Sequence, residues 1–281
     1  MINNICICGA GTMGCGIAQL AASSECAAIL YDVNKEILEK AKTTIDRSLQ
    51  SLVERSKITP GRREKISQRI RFTDDINECV ADVIIEAIVE NTDAKIHLFS
   101  KLASINNDQT IFATNTSSLS VTTIGNKIPQ PGRFLGMHFF NPAPVMKLVE
   151  IINTDHTNEQ TIRSVIDLAQ RMGKVPVVCK DSPGFIVNRI ARPFYIESLR
   201  LVEENQISLE TMDTLLEASG FKLGPFKLMD LIGNDINYSV SRSVYEQLNK
   251  PERLRPSPIQ KEKVEKGELG KKTGKGYYTY D

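Results

Sequence analysis

The sequence predicts an α/β protein: a domain of alternating strands and helices, followed by a smaller domain made only of helices. Two observations support this prediction. Short apolar runs rich in Ile and Val alternate with amphipathic segments as far as the block DSPGF (181–185). Such alternation is typical of a parallel sheet with helices on both faces. Beyond DSPGF the strand-like runs stop, and helical periodicity continues nearly to the end.

The predicted strands are short, apolar and bounded by Gly, Asp or Asn. They are Ile5–Cys8, Ala28–Val33, Val83–Ile88, Ile111–Thr114, Phe134–Phe140, Leu148–Ile152 and Val175–Cys179. Because these runs lack the polar alternation of a half-exposed sheet, we expect parallel strands buried on both faces. Amphipathic helices are predicted between them at Lys35–Lys57, Ala94–Ile105 and Glu159–Met172.

The second domain is predicted to be entirely helical. Its candidate helices are Phe185–Glu204, Leu209–Ala218, Pro225–Leu248 and Pro258–Lys266. Pro183 and Gly184 mark the change of pattern, because both residue types interrupt regular structure. A chain of 281 residues is also near the size at which one core divides. We therefore predict two domains, residues 1–184 and 185–281.

Composition and charge restrict the classes of function. A formal net charge of +1 gives no electrostatic reason to expect a nucleic-acid partner. No apolar run approaches the length of a membrane span, and the first residues lack the basic region of a signal or transit peptide. We expect neither a membrane anchor nor a targeting segment.

The six cysteines form no CxxC pair and have no histidine at zinc-ligand spacing. No metal site is therefore predicted, and free thiols indicate a reducing, cytoplasmic location. Cys6 and Cys8 share one face of the first predicted strand. We interpret them as small apolar residues.

A glycine-rich block follows the first predicted strand and opens a helix. Gly9, Gly11 and Gly14 form the pattern GxGxxG. In a dinucleotide site the first glycine permits a tight turn, the second lets the backbone approach a pyrophosphate, and the third allows close packing of helix on strand. The helix N-terminus then favours the anion. A tight turn without a ligand is the alternative, but the strand and helix context favours the cofactor.

Asp32 lies at the end of the second predicted strand. A carboxylate there can accept hydrogen bonds from both ribose hydroxyls and repels a 2′-phosphate, so it selects NAD over NADP. The alternative role is an N-cap of the helix that begins in NKEILEK. With the glycine block in place, we expect the cofactor role.

His138 lies within the apolar run GMHFF, where a polar ring needs a partner. Glu150, in the next apolar run, is the candidate, and the two meet if these runs form neighbouring strands. A histidine can accept the proton of an alcohol, while a carboxylate fixes its tautomer and stabilises the imidazolium. Alone, His138 would more often be a structural core residue.

A family resemblance is carried by a series of blocks in fixed order. They are ICGAGTMGCGIA, IIEAIVEN, FATNTSSLS, GMHFFNPAPVMKLVEI, DSPGFIVNRI, GPFKLMDLIGND and LGKKTGKGYYTY. The chain resembles the short, single-chain NAD-dependent L-3-hydroxyacyl-CoA dehydrogenases, including 3-hydroxybutyryl-CoA dehydrogenases, over essentially its whole length. The resemblance implies a Rossmann-like domain, an acyl-CoA substrate, and a helical domain that makes most of the contacts of a homodimer.

The resemblance also implies roles for individual residues. His138 and Glu150 would move the proton, with Ser117 and Asn188 completing the catalytic site. Residues near the nicotinamide would be Glu90, Lys95, Asn115 and Asn141. From the residues alone, each role has a plainer alternative: Ser117 in a turn cap, Asn188 on a helix surface, and Glu90 with Lys95 as an exposed pair. His97 and His156 lack comparable surroundings and are expected to be structural or exposed.

The substrate is left open among related compounds. A short-chain substrate such as 3-hydroxybutyryl-CoA is the main expectation. The segment NRIARPFYIESLRLVEE resembles a subgroup that acts on 3-hydroxyadipyl-CoA in phenylacetate breakdown, and Arg192 or Lys222 could receive its terminal carboxylate. GFKLGPF departs from the family's commoner P-M-G-P-F, which leaves the acyl pocket undefined.

Two further alternatives are a dehydrogenase of a free hydroxy acid or sugar alcohol, and a non-catalytic NAD-binding protein. The intact catalytic set argues against the second. Basic residues for the anionic CoA are available at Arg47, Arg55 and Lys57, without an assignment to any one of them.

Overall fold

The computed structural model describes residues 2–280. The chain divides into two compact units between Asp181 and Ser182. The first is a sheet covered by helices and the second is helical, which confirms the predicted fold class. No helix in the described part of the chain has both the length and the apolar character needed to cross a membrane.

The first unit contains one eight-stranded sheet in the order β3-β2-β1-β4-β5-β6-β7-β8. The strands are β1 Asn4–Cys8, β2 Ala27–Tyr31, β3 Ile70–Thr73, β4 Val83–Glu86, β5 Ile111–Thr114, β6 Phe134–Phe139, β7 Leu148–Asn153 and β8 Val175–Lys180. Its helices are α1 Thr12–Ser23, α2 Lys35–Glu54, α3 Pro60–Gln68, α4 Thr92–Ile105, α5 Val121–Gly125 and α6 Glu159–Arg171.

The edges of the sheet differ from the sequence prediction. β6 and β7 run antiparallel, because the segment 140–147 between them is too short for the crossover of about a dozen residues that parallel strands need. β8 is an edge strand with Val175 56% exposed, rather than a strand buried on both faces. β3, at the opposite edge, was not predicted, because it has only four residues and one is Arg71.

The central strands are buried because alternate side chains serve opposite faces of the sheet. Ile5 and Ile7 of β1 join the core cluster that includes Ile17 of α1 and Leu30 of β2. The intervening residues of β1 face the other side of the sheet. The carboxyl ends of β1, β2, β4, β5 and β6 carry most of the residues singled out from the sequence.

The second unit contains five α-helices among the described residues. They are α7 Val187–Glu203, α8 Leu209–Ala218, α9 Pro225–Ile232, α10 Asn234–Gln247 and α11 Pro258–Glu265. The predicted helix Pro225–Leu248 is interrupted at Gly233, whose φ of 104° is incompatible with a helix and strained for residues with a Cβ. The core cluster of this unit includes Phe226, Met229 and Tyr277.

Two buried carboxylates hold the C-terminal block LGKKTGKGYYTY on the helices of the second unit. Asp230 accepts hydrogen bonds from the backbone N–H groups of Tyr277 and Tyr278 and from the Tyr280 hydroxyl, each at 2.9 Å. Asp213 accepts from the backbone at the start of α9 and from the Tyr278 hydroxyl. This block is therefore part of the helical core.

Candidate active site

The glycine loop connects β1 to α1. Gly9 has a φ of 106°, and a Cβ on it would lie 2.5 Å from the Ala87 carbonyl oxygen. A Cβ on Gly14 would lie 1.7 Å from the Gly9 carbonyl oxygen, so only glycine allows α1 to pack this closely. At Gly11, by contrast, a Cβ would meet nothing within 4 Å. The backbone at Gly11 therefore faces open space, at the N-terminus of a helix whose first turn has no acidic residue.

Asp32 follows β2 and is tied to the same loop. Its carboxylate accepts hydrogen bonds from the backbone N–H groups of Ala10 at 2.9 Å and Asn34 at 3.0 Å. The N-cap of α2 is Asn34, whose side chain accepts from the N–H of Glu36, so Asp32 does not serve as that cap. The loop thus presents helix-end N–H groups beside a fixed carboxylate, which fits a dinucleotide without a 2′-phosphate.

Lys95 on α4 is buried between two carboxylates. Its ammonium lies 2.5 Å from a carboxylate oxygen of Glu86 and 3.2 Å from one of Glu90. Lys95 and Glu86 have side chains 1% and 0% exposed, whereas that of Glu90 is 37% exposed. Burial raises the pKa of Glu86, although the charge of Lys95 and the hydrogen bond from Thr114 oppose this effect.

Glu90 collects donors from the segment that follows β5. Its carboxylate accepts from the Thr116 hydroxyl at 2.6 Å, the Ser117 N–H at 3.0 Å and the Ser118 hydroxyl at 3.1 Å. Burial raises the pKa of Glu90, but Lys95 and these hydrogen bonds outweigh it, so the pKa is lowered. Thr116 also accepts from the N–H of Leu119, so it caps the turn in which Ser117 lies.

His138 and Glu150 meet across the antiparallel pair β6–β7, where they are directly opposite each other. The His138 Nδ1 lies 2.7 Å from a carboxylate oxygen of Glu150. His138 is 5% exposed and Glu150 is fully buried. Because a carboxylate only accepts, this contact places a proton on Nδ1 and leaves Nε2 as the acceptor of a neutral ring.

The two asparagines predicted to lie near the nicotinamide have different surroundings. The side-chain oxygen of Asn115 accepts from the N–H of Phe139, next to His138, and so fixes the end of β5 to the end of β6. Asn141 is exposed in the segment after β6 and precedes a cis peptide bond to Pro142.

Three predicted residues lie in the helical unit. Asn188 is the second residue of α7, and its carbonyl accepts from Arg192 Nε at 2.9 Å. Arg192 is 3% exposed and also donates to the Asn237 carbonyl and the Ser241 hydroxyl, so it links α7 to α10 inside this unit. Burial lowers the pKa of Arg192 to about 10. Lys222, in contrast, is exposed between α8 and α9.

The remaining candidates are on the surface. His97 on α4 and His156 in the turn after β7 are both exposed. The basic residues considered for CoA are also exposed, at Arg47, Arg55 and Lys57.

Comparison with known proteins identifies the group to which these features belong. Residues 4–182 match the 3-hydroxyacyl-CoA dehydrogenase NAD-binding domain, and residues 184–280 match the 3-hydroxyacyl-CoA dehydrogenase C-terminal domain. The chain belongs to the 3-hydroxyacyl-CoA dehydrogenase family. It is an NAD-dependent dehydrogenase of this family, and the glycine loop and Asp32 provide a fitting site for NAD.

Individual relatives cover the chain from end to end. The 3-hydroxyadipyl-CoA dehydrogenase of Escherichia coli is 42% identical over 281 residues, which span 99% of this chain and 59% of that protein. A probable 3-hydroxybutyryl-CoA dehydrogenase of Deinococcus radiodurans is 38% identical over 98% of this chain and 99% of its own length. The structure of (S)-3-hydroxybutyryl-CoA dehydrogenase from Ralstonia eutropha superposes with a TM-score of 0.95 at 35% identity, and the match covers 100% of both chains.

Sequence reasoning did not identify Glu86 in this dehydrogenase. The residue interrupts the apolar run VIIEAIV at the end of β4, where a buried carboxylate requires a cationic or hydrogen-bonding partner. The same argument that linked His138 to Glu150 could have linked Glu86 to Lys95.

Proposed function

We propose that this dehydrogenase oxidises an L-3-hydroxyacyl-CoA reversibly to the 3-oxoacyl-CoA, with His138 as the proton acceptor. The supporting observation is the buried contact of 2.7 Å between His138 Nδ1 and Glu150. NAD, when bound, would supply the redox chemistry by accepting the hydride from C3 of the substrate. The chain itself must remove the hydroxyl proton and hold the substrate oxygen.

In this proposal His138 Nε2 takes the proton of the substrate hydroxyl. Glu150 fixes the tautomer that leaves Nε2 as an acceptor, and its charge stabilises the imidazolium that forms. Ser117 and Asn188 are assigned as hydrogen-bond donors to the substrate oxygen, on which negative charge develops. In the reverse direction His138 returns the proton to the same oxygen.

Each residue proposed for the cofactor site has a separate role. Gly11 at the start of α1 would receive the pyrophosphate, Gly9 and Gly14 would allow the turn and the close helix packing that form this site, and Asp32 would bind the ribose. Near the nicotinamide we assign Glu90, Asn115 and Asn141 as the binding residues. Lys95 is 1% exposed and contacts Glu90, so we assign it as a positioning residue that acts through Glu90.

The finer substrate assignment is a short-chain 3-hydroxyacyl-CoA, with 3-hydroxybutyryl-CoA as the first choice. The alternative is 3-hydroxyadipyl-CoA, which is favoured by the 42% identity with the E. coli relative. Since Arg192 is engaged within the helical unit, we assign the exposed Lys222 as the candidate receptor for a terminal carboxylate. The anionic CoA has basic partners available at Arg47, Arg55 and Lys57.

One set of assays tests the activity and the substrate class together. NADH formation is measured with L-3-hydroxybutyryl-CoA, its D enantiomer, the free L-3-hydroxybutyrate and 3-hydroxyadipyl-CoA. The proposal expects turnover of the L thioester and little of the D thioester or free acid. Turnover of the free acid alone, or NADH binding without turnover of any thioester, would contradict it. If 3-hydroxyadipyl-CoA is preferred, Lys222→Gln should reduce that preference.

We further propose that residues 1–184 bind NAD and that residues 185–281 contact substrate and form a homodimer. The helical unit has several large apolar side chains that are at least half exposed, which indicates a surface covered by another chain. They are Ile190, Leu215, Phe221, Leu231 and Ile236. Sedimentation at micromolar concentration tests this: a dimer is expected, and Leu215→Lys with Phe221→Lys should weaken it.

A cytoplasmic location is proposed from the six free cysteines, which suit a reducing compartment. Cell fractionation followed by immunodetection tests this location. Recovery of the protein mainly in a membrane or exported fraction would contradict it.

A further inference from the structure

Three cysteines converge inside the first unit, and none of them has a role in the proposed catalytic set. Cys6 and Cys8 lie on β1, and Cys79 follows the short 3₁₀ turn Ile76–Glu78. The three sulfur atoms lie within 4.8 Å of one another, and those of Cys6 and Cys8 are 3.9 Å apart. All three side chains are fully buried. We call Cys6, Cys8 and Cys79 the cysteine cluster.

The turn that carries Cys79 is held in place by polar contacts. The Cys79 carbonyl accepts from the side-chain N–H of Asn106 at 2.8 Å. Arg71 on β3 donates to the carboxylate of Glu78 at 2.9 Å and to its carbonyl at 3.0 Å. The third sulfur is therefore fixed by neighbouring elements, and the positive charge of Arg71 lies beside the turn. Preorganised ligands of this kind are what a metal site requires.

The cysteine cluster and the apolar core lie on opposite faces of β1. Ile5 and Ile7 point into that core, whereas Cys6 and Cys8 alternate with them and face Cys79. The bland explanation is that three small, weakly polar side chains fill this space. It accounts for their burial but predicts no affinity for an ion.

We propose that the cysteine cluster binds one soft, thiophilic cation, and that Cu(I) fits it best. Bonds of about 2.3 Å from a central ion to three sulfurs place those sulfurs about 4.0 Å apart. The separation of 3.9 Å between Cys6 and Cys8 already meets this condition. The ion would occupy the space between the sulfurs, so the strand and the turn need not separate.

The choice of ion follows from the ligand set. Within residues 2–280, the group contains three sulfurs and no carboxylate or imidazole ligand atom. A structural zinc site takes four ligands, commonly with the fourth from Cys or His. Thiolates select soft ions, among them Cu(I), which is satisfied by three sulfurs. Binding forms three copper–sulfur bonds and releases the thiol protons to solvent, without a change in oxidation state.

The test compares two variants. One retains only the three cysteines of the cluster, and the other retains only the three cysteines outside it. The cluster-only variant removes the other three cysteines by the substitutions Cys15→Ala, Cys26→Ala and Cys179→Ala. The cluster-free variant removes the cluster by the substitutions Cys6→Ala, Cys8→Ala and Cys79→Ala. Each reduced protein is incubated anaerobically with Cu(I) held by a competing chelator and desalted, and its copper content is measured. Mg²⁺ serves as the hard-ion control.

We expect one Cu(I) per chain in the wild type and in the cluster-only variant, and less than about a tenth of that in the cluster-free variant. Loading should also raise Tm by several degrees, since an ion that binds only the folded state stabilises it. No retained Cu(I) in the cluster-only variant, or undiminished binding in the cluster-free variant, would overturn the proposal.

If the cluster-free variant does not fold, X-ray absorption on the loaded cluster-only variant decides the matter. Three sulfur neighbours at about 2.3 Å support the site. Fewer than three sulfur neighbours, or neighbours of oxygen and nitrogen, overturn it.

Discussion

The His138–Glu150 pair and the Lys95 network are two buried contacts between a basic side chain and a carboxylate. They are built differently. The pair joins residues that face each other across two antiparallel strands, β6 and β7. The network joins Lys95 of α4 to Glu86 at the end of β4 and to Glu90, which also accepts hydrogen bonds from the segment after β5.

The difference separates two uses of a buried carboxylate. In the network, several donors contact each carboxylate, and these contacts hold the partly exposed Glu90 in one position. In the pair, the basic partner is an imidazole, the one side chain that ordinarily gains or loses a proton near neutral pH. We therefore expect changes in the pair to affect turnover most, and changes at Glu86 to affect stability most.

The largest effect is expected from His138→Gln. Loss of a general base lowers kcat by about 10²–10⁴-fold, while the variant should stay folded and retain NADH binding. The measurements are kcat with L-3-hydroxybutyryl-CoA, Tm, and NADH fluorescence titration. His156→Gln changes an exposed histidine and serves as the control. Folded His138→Gln protein with the kcat of the wild type would refute the mechanism.

Glu150→Gln should slow turnover less than His138→Gln does. The amide keeps the size of the side chain and an acceptor oxygen, but it removes the charge that stabilises the imidazolium. A kcat between those of the wild type and His138→Gln is expected from steady-state assays. If Tm falls while kcat of the folded fraction is unchanged, the pair is structural.

Glu86→Gln should reverse this pattern. It removes one partner of a buried ion pair and should lower the free energy of unfolding by about 3 kcal/mol, because such a loss leaves a poorly compensated buried charge. Urea denaturation gives this value, and kcat is measured well below the melting temperature. Glu39→Gln, which removes an exposed pair with Lys42, is the control and should have almost no effect. A larger loss of kcat than in His138→Gln would contradict the expectation that Glu86 affects mainly stability.

The smallest effect is expected at Asp32, a carboxylate that accepts hydrogen bonds from the backbone N–H groups of Ala10 and Asn34. Asp32→Ser should reduce the preference for NAD over NADP by roughly tenfold or more, the scale of one hydrogen bond to a charged group. The ratio of kcat/KM for the two cofactors measures this preference. Asp32→Asn, which keeps an acceptor for the Ala10 N–H, separates loss of charge from disruption of the loop. Equal kcat/KM values in the wild type would remove the selective role.

The sequence was sufficient to predict a feature where the hydrophobic periodicity and the chemistry of the side chains indicate the same structure. His138 and Glu150 each interrupt an apolar run, so each needs a polar partner, and neighbouring strands can supply it. GxGxxG was placed correctly because its strand and helix both follow from local pattern. The division into a sheet and a helical unit follows from the same periodicity.

Other features depend on contacts that local pattern does not encode. Cys79 lies close to Cys6 and Cys8 because the tertiary fold brings the turn before β4 next to β1. The positions of the three cysteines in the sequence do not indicate this proximity. The contact between Glu86 and Lys95 depends on which face of α4 packs against the sheet. The antiparallel direction of β7 depends on the length of a connection, since the apolar run looks the same in either direction.

The register of β6 and β7 limits how this sequence can change in length during evolution. Residues 140–147 form the connection, and insertions there leave the two strands aligned. One residue inserted in β7 ahead of Glu150 would instead turn that carboxylate to the opposite face of the sheet, since side chains alternate along a strand. The connection can therefore become longer gradually during evolution. A change in the register of β7, in contrast, would separate Glu150 from His138.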